Sequence, residues 1–242
     1  MKKVIKYIIY MLLAAVILIA GSFLLRDDFI SFIKWWLTIF YLGLIFMPLT
    51  TLIFDNFHDK GYLFSKAIGL AISGYLMWLM ASLHIMKFNT INSIISVLIC
   101  LLLNLLLLYF VYLRNRSSRT LFKEKLQKLA GSLDILLGEE LLFLGIFLLF
   151  VYIRGFKPEA HGTEKFMDYG FMTSMMRSEY MPPQDFWYSG TKLNYYYLGQ
   201  YLATFLVRIS FVKVSVGYNL LLMMVGAFAA SLPYSIVYNV IL

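Results

Sequence analysis

The sequence predicts an all-α polytopic membrane protein of about seven transmembrane helices, with an extracytoplasmic loop that contains an interfacial helix. Three observations predict it. Of 242 residues, 61% are hydrophobic and only 14% charged, whereas soluble domains run at about a quarter charged. Charge-free apolar stretches recur at lengths near the ~20 residues a helix needs to cross a hydrocarbon core of ~30 Å. Between two of them, at residues 155–192, the composition turns abruptly polar.

Stretches without Asp, Glu, Lys or Arg give seven spans: 7–25, 35–54, 67–86, 88–113, 141–153, 193–207 and 214–242. The fifth and sixth are short and must recruit flanking polar residues, Glu139 and Glu140 in one, Lys192 or Arg208 in the other. Met1-Lys-Lys followed by an apolar run reads as an uncleaved first helix, because the run exceeds the usual ~7–15 residues of a signal peptide and no A-x-A site follows. Thirteen of the 21 Lys and Arg fall on the N-terminal side, Arg208 and Lys213 among them, which predicts a cytoplasmic N-terminus and an extracytoplasmic 155–192 loop.

Most of that contrast comes from the basic stretch 114–128. It reads as a topology signal touching anionic headgroups; a nucleic-acid or lipid-specific patch is the competing use, and no nucleic-acid partner is expected. Asn115-Arg-Ser is a glycosylation sequon on the predicted cytoplasmic side. The one cysteine, Cys100, sits inside an apolar run, which leaves neither a disulfide framework nor a Cys-based metal site.

The polar segment is too long for an ordinary connection and too rich in aromatics and Met for disorder. From 164 to 178, Met167, Phe171 and Met175 recur at helical spacing, flanked by Phe166, Met172 and Met176 and interrupted by Glu164, Asp168 and Arg177. That pattern suits a helix at the membrane surface, its Met and Phe residues facing lipid or the bundle. Glu164 and Asp168, four apart, share one face of it. The pair could serve as a general base or hold a divalent cation; equally, they could be solvated charges on an amphipathic helix.

Pro182-Pro183 stops this helix, and Asp185, Trp187 and Gly190 turn the chain back to the membrane. On a helix Tyr195-Tyr-Tyr spreads over about 200°, so the three rings cannot share one contact. They form either an aromatic belt or a sugar platform. Gly199 and Ala203 would let another helix approach closely.

Three motifs follow one another: Gly162-Thr-Glu-Lys-Phe-Met-Asp, Pro182-Pro-Gln-Asp-Phe-Trp-Tyr-Ser-Gly and Leu193-Asn-Tyr-Tyr-Tyr-Leu-Gly. Together they resemble the YYY family of polytopic membrane proteins, named after the tyrosine triplet. Asp59-Lys-Gly-Tyr-Leu-Phe-Ser-Lys-Ala-Ile-Gly-Leu and Trp78 are similar to that family's N-terminal segment. The family in turn is similar to GT-C membrane glycosyltransferases, which take sugars from polyprenyl-phosphate donors and carry an acidic motif in their first large outer loop. The chain departs from the family motif at Phe166, where Pro is common, and at Asp185-Phe-Trp, where Asp-Pro-Trp is common.

The resemblance implies a sugar transfer from a polyprenyl-phosphate donor to an extracytoplasmic acceptor, in the plasma membrane of a prokaryote. It assigns Asp168 as base with Glu164 assisting or holding a divalent cation. It leaves Lys165, Arg177 and Lys192 as phosphate partners, and Asp185, Trp187, Asn194 and Tyr195 to Tyr197 as substrate contacts; each cation could equally be a headgroup anchor. Residues 1–130 then form a four-helix membrane segment with a basic cytoplasmic loop, and 131–242 the start of a GT-C-like module. Because family members continue through further spans, the chain is expected to be truncated.

The alternative is a non-enzymatic transporter or assembly subunit. Transporters place ionisable groups at mid-membrane, and here only His84, Glu139 and Glu140 come close, His84 as an interfacial residue and the two acids in the first turn of a span. The acids concentrate instead in the outer loop, which favours the enzyme.

Overall fold

The computed structural model describes residues 2–114, 116–162 and 164–241; Asn115 of the sequon and Thr163 of the first motif lie outside them. Among the described residues, five stretches are long and apolar enough to cross a membrane. The first, Val4–Ile53, is divided in two: α1 (Lys2–Leu25) and α2 (Phe29–Ile53) are joined by a 3-10 turn at Arg26–Asp28, where Arg26 takes φ 47°. The next are α3 (Tyr62–Ser82) and α4 (Thr90–Leu108), followed by a π turn and the basic helix α5 (Arg116–Gly131). The bundle is completed by α6 (Leu133–Gly155), α7 (Lys165–Arg177), α8 (Leu198–Ser210) and α9 (Val214–Ile241).

Packing against α6 fixes the directions. On α1, Tyr10 meets Gly138 and Gly21 meets Leu148, so α1 runs parallel to α6. On α2 the order reverses: Phe32 packs on Phe147 at 4.9 Å and Trp36 donates to Glu140 at 2.7 Å. α1 and α2 are therefore an antiparallel hairpin, and both can cross. α9 also opposes α6, with Asn219 bonded to Arg154 at one end and Phe150 against Gly226 near the middle.

Close approach needs glycine at the α2–α3 seam. A Cβ on Gly69 would lie 2.8 Å from the Leu42 carbonyl oxygen, and one on Gly43 2.8 Å from Lys66 Cγ. Small residues let apolar helices pack where lipid offers no hydrophobic drive for association. The outer surface stays apolar, with Met11, Phe23, Leu102 and Val240 exposed, as a lipid-facing surface requires.

The expected sixth span does not cross. α8 has thirteen residues, a rise of about 20 Å at 1.5 Å per residue, short of the ~30 Å core. It begins at Tyr197, whose hydroxyl accepts from Trp78 near the end of α3. It ends with Val207 against Gly217 and Trp35, near the starts of α9 and α2. Both of its ends thus sit on the face opposite the N-terminus, here the loop face. α9 then returns to the N-terminal face, where Asn239 bonds Asp59 and the backbone of His58.

With α8 uncrossed, Arg208 and Lys213 move to the loop face. Eleven of the 21 cations are left on the N-terminal side, and the charge contrast narrows to the 114–128 stretch. An impermeant thiol reagent, applied in intact cells to single cysteines on a Cys100→Ser background, should label Tyr188→Cys and Lys213→Cys alike and miss Lys123→Cys. Seven crossings would instead group Lys213→Cys with Lys123→Cys.

Candidate functional site

The helix expected at 164–178 forms as α7, with Glu164 at its N-cap and Asp168 in its first turn, where the helix dipole favours a carboxylate. Its buried face, Phe171, Met172, Ser174 and Met175, packs on α8 and α9, so these Met and Phe residues face the bundle. Gly170 is needed there, because a Cβ would lie 2.5 Å from the Phe186 ring. Glu164 and Phe166 point outward.

Asp168 is oriented by a residue the sequence did not single out: Gln200, in the first turn of α8, donates its side-chain N–H to Asp168 Oδ1 at 2.7 Å. The tyrosine triplet precedes α8 instead of lying on a helix. Tyr195 and Tyr196 stack at 4.0 Å, and the Tyr195 hydroxyl donates to that of Tyr196 at 2.9 Å. This bond, together with the nearby Glu164 and Asp168 carboxylates, pushes the Tyr196 phenol up to about 12, so it stays neutral. Tyr197 turns inward to Trp78 and is not available as a sugar platform.

The remaining predicted residues gather at the other end of α7. Arg177, Asp185 and Lys192 line a cleft of about 490 Å³ with Ser174, Tyr180 and Gln184. Nine residues of helix separate Arg177 from Asp168, about 13 Å. Asp185 is also a turn residue, accepting the backbone N–H groups of Trp187 at 2.7 Å and Tyr188 at 3.1 Å. Trp187 is largely exposed and meets Phe166 edge-on at 5.7 Å. Lys165 is half-buried and Asn194 exposed, and neither joins a cluster.

A larger cavity, about 920 Å³, opens on the loop face between the α1–α2 turn, the end of α6 and the start of α9. Arg26, Asp28, Arg154 and Glu159 give it a charged rim, and Phe23, Val151 and Met223 apolar walls. Tyr169, next to Asp168 in the chain, also lines it and packs edge-on against Tyr218 at 5.9 Å. In the sequence Arg26 and Arg154 register only as charges that end apolar runs; the tertiary fold brings them to one cavity. His84 sits at the α3–α4 turn, stacked on Tyr180 at 4.4 Å.

Arg208 anchors the other end of α7. It is buried, its guanidinium lies 4.4 Å over the Phe88 ring, and Nη2 donates to the Met176 carbonyl at 3.1 Å. A cation at a helix C-terminus satisfies carbonyls that have no helical partner. Arg208→Leu should lower the unfolding free energy by about 1–3 kcal/mol, the cost of leaving buried acceptors unpaired, measured by thermal melting in detergent; an unchanged melting midpoint would remove this anchor from the account.

A family of uncharacterized membrane proteins, DUF2298, matches over residues 72–242, more than two thirds of the chain and all of the loop with α7 and α8. No curated protein and no solved structure matches. The chain is an integral membrane protein of the DUF2298 family.

Proposed function

We propose that the protein is a GT-C-like glycosyltransferase that moves a sugar from a polyprenyl-phosphate donor to an acceptor on the loop face. The observation that carries this reading is the pairing of an oriented carboxylate, Asp168 with Gln200, with a neighbouring cavity that joins two guanidinium groups to apolar walls. A lipid phosphate has the same two parts, an anionic head and an apolar chain. Arg26 and Arg154 suit the phosphate, and Phe23, Val151 and Met223 suit the chain.

In the reaction the acceptor hydroxyl oxygen attacks the anomeric carbon and the bond from that carbon to the phosphate oxygen breaks. The hydroxyl proton passes to Asp168, and the electron pair leaves with the lipid phosphate, whose charge the guanidinium groups stabilise. Glu164 assists from the preceding turn. Exposed Trp187 and Tyr196 offer ring faces to sugars, while Arg177 and Lys192, about 13 Å along α7, suit an anionic group on the acceptor better than the leaving phosphate. Among the described residues no three His, Cys, Asp or Glu side chains gather into a group that could hold a metal ion, so a divalent cation at Glu164 and Asp168 would complete its shell with water and the donor phosphate.

A second reading, a transporter, draws on the cluster of Lys66, Glu139, Glu140 and Asp59 buried at the N-terminal face. The two readings separate by assay. Asp168→Asn should insert and melt normally yet lose 10²-fold to 10⁴-fold in sugar transfer, the usual range for a general base. Glu164→Gln should be milder. Phe166→Pro, in the first turn where proline is tolerated, should leave transfer intact. Near wild-type transfer by Asp168→Asn, or transport of a solute with no transfer from any lipid-linked donor, would overturn the enzymatic reading.

A further inference from the structure

Four ionisable groups meet beneath the α2–α3 turn, at the N-terminal-face ends of α3, α6 and α9. Lys66 and Glu140 form one pair, their side chains in direct contact. Glu140 is satisfied further by the Tyr62 hydroxyl at 2.6 Å and the Trp36 indole N–H at 2.7 Å. One cation thus answers one carboxylate, and two more carboxylates, Asp59 and Glu139, remain beside them, 0% and 1% exposed.

Their hydrogen-bond accounts differ sharply. Asp59 accepts three bonds, from the Gly61 backbone N–H at 3.1 Å, the Asn239 side-chain N–H at 3.0 Å and the Ser235 hydroxyl at 2.8 Å. An ionised carboxylate offers about four lone-pair sites, so one, on Oδ2, is left. Glu139 lies within reach of Asp59 and Ser235, but neither of its oxygens receives a hydrogen bond. Ser235 has a single proton and has given it to Asp59. Two acceptor-only carboxylates would then face each other in a buried place, where an unpaired charge is strongly disfavoured.

We propose that Glu139 and Asp59 form a proton-binding site, in which Glu139 carries one proton and donates it to the fourth lone pair of the Asp59 carboxylate. The proton fills the last acceptor position of Asp59 and gives one Glu139 oxygen a partner, so that the facing pair shares a single negative charge held by four donors. The other groups around the site do not replace it. On α3, Lys66 and Tyr62 are turned to Glu140. On α9, Ser235 and Asn239 are turned to Asp59, and Tyr238 stands near Glu139 without a hydrogen bond to it. On α1, Lys6 is bonded to Asp134 and Tyr10 lies against Gly138. The site ties the α2–α3 turn to α6 and α9, so its loading is coupled to how these elements pack. It stands independently of the sugar-transfer reading.

Dicyclohexylcarbodiimide modifies protonated carboxyls in apolar surroundings and leaves ionised ones, which makes it the probe. With the full chain in detergent at neutral pH, mass spectrometry should find Glu139 modified at least about tenfold more than exposed Glu164, falling as pH rises. Asp59→Asn, which gives Glu139 an N–H donor and removes the facing negative charge, should cut that labelling about tenfold, since both changes favour the ionised form. Glu139→Gln imitates the protonated acid by offering Asp59 an N–H, and should fold with its melting midpoint kept and its label gone. Three results would overturn the proposal: no Glu139 labelling at neutral pH in the folded protein, labelling unaffected by Asp59→Asn, or labelling suppressed by sodium ions, which would make the ligand a metal cation.

Discussion

A helix of thirteen residues rises about 20 Å and cannot bridge a hydrocarbon core of ~30 Å, and the loop-face half of the structure depends on how α8 resolves this. It lies across the ends of α2, α3 and α9, its Tyr201 hydroxyl bonded to the Gly74 carbonyl at 3.0 Å and nearly all of its second half buried. From that position Gln200 reaches Asp168, Tyr197 meets Trp78, and Arg208 caps α7. The outer loop is thus held from below by a helix whose Gln200 and Arg208 reach up to α7.

The same accounting runs through the rest of the bundle. In lipid a polar group must find its partner within the protein, and the bundle supplies partners at each end. Glu179 on the loop illustrates it: its backbone carbonyl takes the Phe88 N–H at 2.6 Å and its carboxylate the Lys87 ammonium at 3.0 Å, which pins the loop to the α3–α4 turn. At the N-terminal face, Asp55 takes Lys125 of the basic helix α5 at 2.9 Å, so one of the cations counted as a topology signal is also a structural tie.

All seven expected spans fall on helices, six of them long enough to cross, because a long apolar run leaves the chain few alternatives to a helix. Their ends differ by several residues where charge was used as the boundary. Lys66 lies inside α3, and Glu139 and Glu140 inside α6; paired or lining a cluster, such groups continue a helix that a charge-free criterion cuts short. The run at 193–207 forms the short helix α8, since lipid and protein reward the same apolar composition and only the surface beneath tells them apart. Of the site, α7 and its two carboxylates were legible from periodicity. The Gln200 contact and the meeting of Arg26 with Arg154 are tertiary, joining residues 32 and 128 positions apart, and no local pattern announces them.

What unites these features is a carboxylate held by α7 and α8 beside a cavity that brings two guanidinium groups together with apolar walls. The most direct measurement is photocrosslinking with a polyprenyl-phosphate bearing a photoreactive group beside its phosphate, mapped by mass spectrometry on the purified full chain. The account predicts adducts on Tyr152, Tyr218 or Met223, around the cavity between α6 and α9, competed by unmodified polyprenyl phosphate. Adducts confined to α4 or α5, or none that unmodified lipid displaces, would contradict it.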